Sequence, residues 1–249
     1  MNNSPSHIFN QKKILITGAS GGIGSVLAEK LAELGAELIL IGRNKSKLEQ
    51  MADKHKGGQY YICDFTEPGA VEKLVKKISC ENRTLDMLFN VAGVAVYKDV
   101  NEATIQDWED SFDVNVTAPF ILIKQFLDSL QKSERPIVIN VGSGAGTMGM
   151  KGRSVYVATK FALRGLSLSL TEELKDNGLK VVLITLGSTL TGLGPLTVEE
   201  KIKLSKEGRA YFTPEWVADK LIEIVSSENL KEEYVLYPTD FGMGEWKKP

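Results

Sequence analysis

Short β-rich apolar runs alternate along the chain with longer segments in which apolar residues recur every three or four positions. The runs of strand length are 13–17 (KILIT), 37–42 (ELILIG), 59–62 (QYYI), 85–89 (LDMLF), 136–141 (PIVINV), 180–185 (KVVLIT) and 233–237 (EYVLY). Between the first two, Ile23, Val26, Leu27, Leu31 and Leu34 fall at helical spacing, and Gly35 stands where a left-handed C-cap belongs. Similar periodicity predicts helices over 67–79, 103–131, 154–176 and 214–226; Asn177-Gly178 closes the third, and Thr213-Pro214 gives the last an N-cap and a first-turn proline. Strands and helices in alternation predict an α/β fold: one doubly wound parallel sheet of about seven strands with helices on both faces.

No linker, repeat or low-complexity stretch interrupts this series, so the 249 residues are expected to form a single domain over 11–249, with a flexible N-terminus at 1–10. The exception is 187–212, rich in Gly and Thr and then charged, which breaks the rhythm just past a strand's carboxyl end and is expected to be a substrate lid. Apolar residues at 43% and charged residues at 25% fit a globular chain with a sizeable core. A net charge of -2 gives no general attraction to nucleic acid or to an anionic membrane, and leaves a small uncharged or anionic ligand as the expected partner. Cys63 and Cys80 cannot build a disulfide framework and lack zinc-site spacing, so no metal is expected and a reducing compartment is. The opening MNNSPSHIFNQKK has no signal-peptide core, and no run is long enough to span a membrane, which places the expected location in the cytoplasm.

The run Thr17-Gly18-Ala19-Ser20-Gly21-Gly22-Ile23-Gly24 follows a strand and opens a helix. Glycines in such a turn let the backbone approach a pyrophosphate, whose charge then rests on unpaired amides at the positive end of a helix dipole. This context makes the domain Rossmann-type and gives Gly18, Ser20, Gly21, Gly22, Ile23 and Gly24 as expected cofactor contacts.

Tyr156 and Lys160 lie four residues apart on a predicted helix and so share a face, where an ammonium would favour the phenolate and make the phenol a better acid-base group near neutral pH. Ser143 follows the fifth strand at its carboxyl end, where open α/β sheets place ligands. TGxxxGxG at 17–24, Asn90-Val91-Ala92-Gly93 after the fourth strand and Tyr156-Val157-Ala158-Thr159-Lys160 together resemble the short-chain dehydrogenase/reductase family, in order along most of the chain. The resemblance implies that Ser143 holds the substrate oxygen, Tyr156 moves its proton, Lys160 also binds the nicotinamide ribose, and Asn115 holds a water linking the lysine to solvent. It also implies that Asp64, Phe65, Asn90, Ala92, Gly93, Tyr156, Thr189 and Thr191 border the cofactor, and that the protein forms a homodimer or homotetramer through helices 103–131 and 154–176. Two positions depart from the family pattern: Val91 stands for the second Asn of NNAG, and Leu186 for the proline of PGxxxT.

The second strand ends Leu40-Ile41-Gly42-Arg43-Asn44, without the Asp or Glu that would bind the ribose 2′-hydroxyl of NAD. Loss of that carboxylate, with Arg43 available to pair a 2′-phosphate, favours NADP(H) over NAD(H). The expected function is hydride transfer between NADP(H) and a ketone or aldehyde, or the matching secondary alcohol. A non-catalytic NADP(H)-sensing protein on the same scaffold is the alternative, and retention of Asn115, Ser143, Tyr156 and Lys160 together argues against it. Val94, Val96, Tyr97, Leu190, Leu193, Leu196 and Phe212 are expected to give the substrate pocket a partly hydrophobic lining.

Overall fold

Strands β1 (Lys13–Thr17), β2 (Glu37–Gly42), β3 (Gln59–Ile62), β4 (Met87–Asn90), β5 (Ile137–Val141), β6 (Lys180–Leu186) and β7 (Glu233–Leu236) pair in the order β3-β2-β1-β4-β5-β6-β7, all parallel. The computed structural model describes residues 5–54 and 58–246. The strand order reverses between β1 and β4, which opens a crevice at the carboxyl ends of these strands.

Both faces of the sheet are covered, which is why the strands read as nearly continuous apolar runs. On one face Ile14, Ile16, Leu40, Phe89 and Ile139 pack against α2 (Gly22–Glu33) and α9 (Pro214–Ser226) through Leu27, Leu31, Val217 and Leu221. On the other, Leu15, Ile39, Leu88 and Val138 meet α4 (Ala70–Glu81), α6 (Ala118–Leu130) and α7 (Ser154–Leu174) through Leu74, Ile78, Leu122, Phe126 and Leu174. Neighbouring strand residues thus serve opposite faces, as the pleat requires.

Several sequence expectations change. Within the N-terminus expected to be flexible, Pro5–Phe9 forms the short helix α1, and Phe9 is fully buried in the core. Its anchor includes the Gln11 amide, which donates to the Gly35 carbonyl at 2.8 Å; residues 1–4 lie outside the described residues. The helix expected over 103–131 is α5 (Ile105–Phe112), a π turn over Asp113–Thr117, and α6. Thr104 and Asp107 close a capping box at its start, so residue 103 stands outside it. Helix α3 (Lys45–Lys54) had no periodic signal because Leu48 is its one buried residue. The stretch 187–212, expected to be a substrate lid, contains α8 (Val198–Lys206), started by a Thr197/Glu200 capping box. Leu186 extends β6 by pairing with Leu236, and the following Gly187 amide donates to the Leu236 carbonyl at 2.8 Å. Among the described residues no helix is long and apolar enough to cross a membrane.

Candidate active site

The carboxyl ends of β1, β4 and β5 lie side by side, with Thr17 opposite Asn90 and Asn90 opposite Asn140. Thr17 fixes the first crossing: its Oγ1 accepts from the amides of Val91 and Ala92, each at 3.1 Å. The β4 loop is thereby tied to the start of the glycine-rich turn. Gly18 has φ +67, and a Cβ there would lie 2.9 Å from the Ala92 backbone, so only glycine suits the junction. A Cβ at Gly24 would lie 2.3 Å from the Gly18 carbonyl oxygen, which shows how closely α2 approaches the turn.

Helix α2 begins at Gly22 after the N-cap Gly21, and no side chain caps it. A bare helix start behind a turn that no side chain can fill fits a dinucleotide pyrophosphate, held by Gly18, Ser20, Gly21, Gly22, Ile23 and Gly24. Thr191 lies against the same turn: its Cγ2 is 2.8 Å from where a Cβ on Gly22 would stand. Arg43, exposed at the end of β2, lies with Nη1 3.8 Å from Asp64 Oδ2, bringing together two of the expected contacts. Phe65 and Asn90 sit differently from expectation. The Phe65 ring is buried in the hydrophobic core, and the Asn90 side chain lies inside the sheet, donating to Asn140 Oδ1 at 2.8 Å. Thr189 is likewise turned inward, with its hydroxyl on the Gly187 carbonyl. Ala92 and Gly93 line the β4 end beside Lys160 and Asn115; a Cβ on Gly93 would meet Asn115 Oδ1 at 3.3 Å and Lys160 Nζ at 3.8 Å.

Asn115 occupies the π turn, whose extra residue per turn re-aims a side chain that a regular helix would hold elsewhere. Its Oδ1 accepts from the Val94 amide at 2.9 Å, and its Nδ2 donates to the Val94 carbonyl at 2.9 Å and to Thr159 Oγ1 at 3.0 Å. It clamps the β4 loop to α7 and makes no direct bond to Lys160.

Tyr156 and Lys160 project from one face of α7 and both are buried. Ser143 stands in extended backbone before a short turn at Gly144–Gly146, its Oγ accepting from the Ala145 amide at 3.1 Å. Burial pushes the Tyr156 phenol up to about 12; hydrogen bonding to Ser143 pulls the other way, the Tyr97 phenol raises it, and the charge of Arg153 lowers it. Burial also pushes the Lys160 ammonium down to about 8. The expected lowering of the phenol by Lys160 is therefore not met in this arrangement. Lys160 Nζ lies 5.8 Å from the Tyr156 ring centre and donates to the Val141 carbonyl at 3.1 Å. Desolvation is the largest cause of both shifts. The result is a neutral phenol beside a hydroxyl, an arrangement that can donate a proton to a bound oxygen.

The Tyr97 ring packs 6.0 Å from that of Tyr156, with Arg153 on its face. Phe212, expected in the pocket lining, is instead fully buried, stacked on Trp216 at 4.0 Å. The 190–196 loop is held by a residue the sequence did not single out: Lys201, on α8, donates to the carbonyls of Thr191 and Leu193 at 2.7 and 2.6 Å. Thr17, Asn140, Thr159 and Arg153 were missed as well. Thr17 had a signal, since it opens the glycine motif; the others acquire their partners only through the fold.

A family model for the short chain dehydrogenase matches residues 12–201. An uncharacterised oxidoreductase of Thermotoga maritima is 34% identical over 183 residues, covering 73% of this chain and 73% of its own. The 3-oxoacyl-acyl-carrier-protein reductase FabG of Escherichia coli is 32% identical over 180 residues, 72% of this chain and 74% of that protein. Among solved structures, the alcohol dehydrogenase of the archaeon Thermococcus sibiricus complexed with 5-hydroxy-NADP has a TM-score of 0.81 at 25% identity, covering 96% of this chain and 99% of that one. The closed form of serine dehydrogenase complexed with NADP+ matches in fold, with a TM-score of 0.82 at 24% identity over 92% and 95% of the two chains.

Proposed function

The chain belongs to the short-chain dehydrogenase/reductase family of oxidoreductases, and from that premise we propose that it transfers hydride between NADP(H) and a ketone or aldehyde, or the matching secondary alcohol. The observation that carries this is a buried, neutral Tyr156 phenol near the Ser143 hydroxyl, at the carboxyl ends of the strands where the bare glycine turn also lies. NADP(H), when bound there, supplies or accepts the hydride.

The residues of the chain do the rest. The Ser143 hydroxyl and the Tyr156 phenol converge on the carbonyl oxygen; in reduction Tyr156 gives its proton to that oxygen, and in oxidation it takes the proton back. Burial keeps the phenol protonated near neutral pH, the form that gives its proton in reduction. Lys160 lies close to Gly93 and faces the expected ribose side, where its cationic form would donate to hydroxyls. Tyr97, packed against the Tyr156 ring, helps to exclude water from the phenol.

NADP over NAD follows from Gly42 and the exposed Arg43, and the 5-hydroxy-NADP bound by the Thermococcus relative supports it. Exposed Phe120 on α6 and Phe161 on α7 support a homodimer or homotetramer formed through these helices. The function is tested by following the absorbance of reduced nicotinamide with a panel of ketones, aldehydes and acyl thioesters: consumption of NADPH that Tyr156→Phe abolishes supports it. NADPH binding without turnover of any carbonyl would favour a nucleotide-sensing protein.

A further inference from the structure

Arg153 is the N-cap residue of α7, one turn ahead of Tyr156 along the helix, and is half-buried. Its Cζ lies 4.2 Å from the centre of the Tyr97 ring, and that ring lies 6.0 Å from the Tyr156 ring, tilted by 54°. The guanidinium is thus stacked at the mouth of the reaction site, one aromatic ring from the phenol. Its charge reaches the site, because it favours the Tyr156 phenolate.

This arginine has no carboxylate partner among the described residues. Its hydrogen bond is from Nη1 to the Met150 sulfur at 3.5 Å, a weak acceptor. Arg43 and Arg164 by contrast face Asp64 and Glu233. Asp99 Oδ1 would lie 3.4 Å from a Cβ on Gly152, the preceding residue, yet no ion pair joins Asp99 to Arg153. Stacking on Tyr97 occupies the flat face of the guanidinium and leaves its N–H edge for a planar, bidentate acceptor. A partly desolvated cation with an open fork beside a catalytic hydroxyl is complementary to a carboxylate carried by the substrate.

We propose that the physiological substrate is a short oxo acid, or the corresponding hydroxy acid, whose carboxylate is bound by Arg153 on the Tyr97 platform while its carbonyl oxygen meets Ser143 and Tyr156. This rests on the hydride-transfer function assigned above. Arg153 then fixes which end of the substrate enters first, and its positive charge also stabilises negative charge developing on the reacting oxygen.

The test compares each of three oxo acids with its own ester: pyruvate with methyl pyruvate, acetoacetate with ethyl acetoacetate, and levulinate with methyl levulinate, all with NADPH. At least one acid is expected to exceed its ester tenfold in kcat/KM. Arg153→Met should lower the acid's kcat/KM at least tenfold more than the ester's, chiefly through KM, and Arg153→Lys should recover part of the loss. In parallel, calorimetric titration into the protein saturated with NADP+ should detect the acid, not the ester, and the acid's binding should vanish in Arg153→Met. Esters reduced as well as or better than acids, or equal losses for both, would overturn the assignment and leave hydride transfer standing. Failure of every carbonyl to consume NADPH would instead overturn hydride transfer, and the titration then decides the anion site by itself: no acid binding, or binding unaffected by Arg153→Met, overturns it.

Discussion

The ammonium of Lys160 donates to the carbonyl of Val141 at 3.1 Å, not to the phenol of Tyr156 that stands one helical turn away. A buried ammonium whose pKa is pushed down to about 8 disfavours folding wherever it must stay charged. Between about 8 and the ordinary value of 10.5 the unfolded chain holds a proton that the folded chain has released, so stability rises with pH in that window. Below it the cost is fully present. Lys160→Met removes this dependence. The stability of the wild type relative to Lys160→Met should therefore climb between pH 8 and 10 in denaturant titrations of the cofactor-free protein, and a flat difference would contradict the buried, depressed lysine.

The strands β1, β2, β4, β5 and β6 were legible because they are buried on both faces and so read as apolar runs, while the partly exposed edge strands β3 and β7 were marked by their β-branched and aromatic residues. Helices α2, α4, α7 and α9 were legible because their buried residues repeat at helical spacing. Helix α8 was not, and the reason is Lys201: the one position that α8 buries holds a lysine, so the apolar stripe is missing. Helix α3 is hidden for the same kind of reason, with Leu48 alone to mark it. At the site, Ser143, Tyr156 and Lys160 could be placed by motif and spacing. The Tyr97–Arg153 stack could not, since the two residues come from different loops and meet only once β4 and α7 are in place. The inward turn of Asn90 also depends on its partner Asn140, across a strand pair that periodicity does not register.

Lys201 is expected to hold the 190–196 loop in place. Its Nζ is bound by two loop carbonyls, and burial, helped by the charge of Arg209, lowers its pKa. Lys201→Met leaves those carbonyls without their donor, and the 190–196 loop should open more often. Chymotrypsin cleavage at Leu190, Leu193 or Leu196 is expected to accelerate several-fold in the cofactor-free variant, with NADP+ restoring part of the protection. An unchanged cleavage rate would show that the loop is held by something else.

Cofactor preference should turn on Gly42 and Arg43. The Arg43–Asp64 pair is 3.8 Å long and its arginine side chain is 68% exposed, so it contributes at most about 1 kcal/mol and leaves the guanidinium available to a 2′-phosphate. Replacing Gly42 by Asp adds a Cβ 2.7 Å from Ser20 Oγ, which the serine can relieve by rotating. Gly42→Asp with Arg43→Ala is expected to move the ratio of kcat/KM toward NAD by at least tenfold, about 1.4 kcal/mol. Better use of NAD than NADP by the unmodified protein would contradict the role given to Arg43.

The central claim is that the Tyr156 phenol carries the proton while NADP(H) carries the hydride, and a single substitution separates the two. Tyr156→Phe keeps the ring and its packing against Tyr97 but removes the hydroxyl. Steady-state reduction of the best carbonyl substrate with NADPH, measured beside NADPH affinity by fluorescence titration, reads both halves. The expected result is a loss of roughly 100-fold or more in kcat, in line with removal of a general acid, with NADPH affinity within about twofold of the wild type, since no binding group has been lost. Wild-type kcat in the Tyr156→Phe variant would contradict the account.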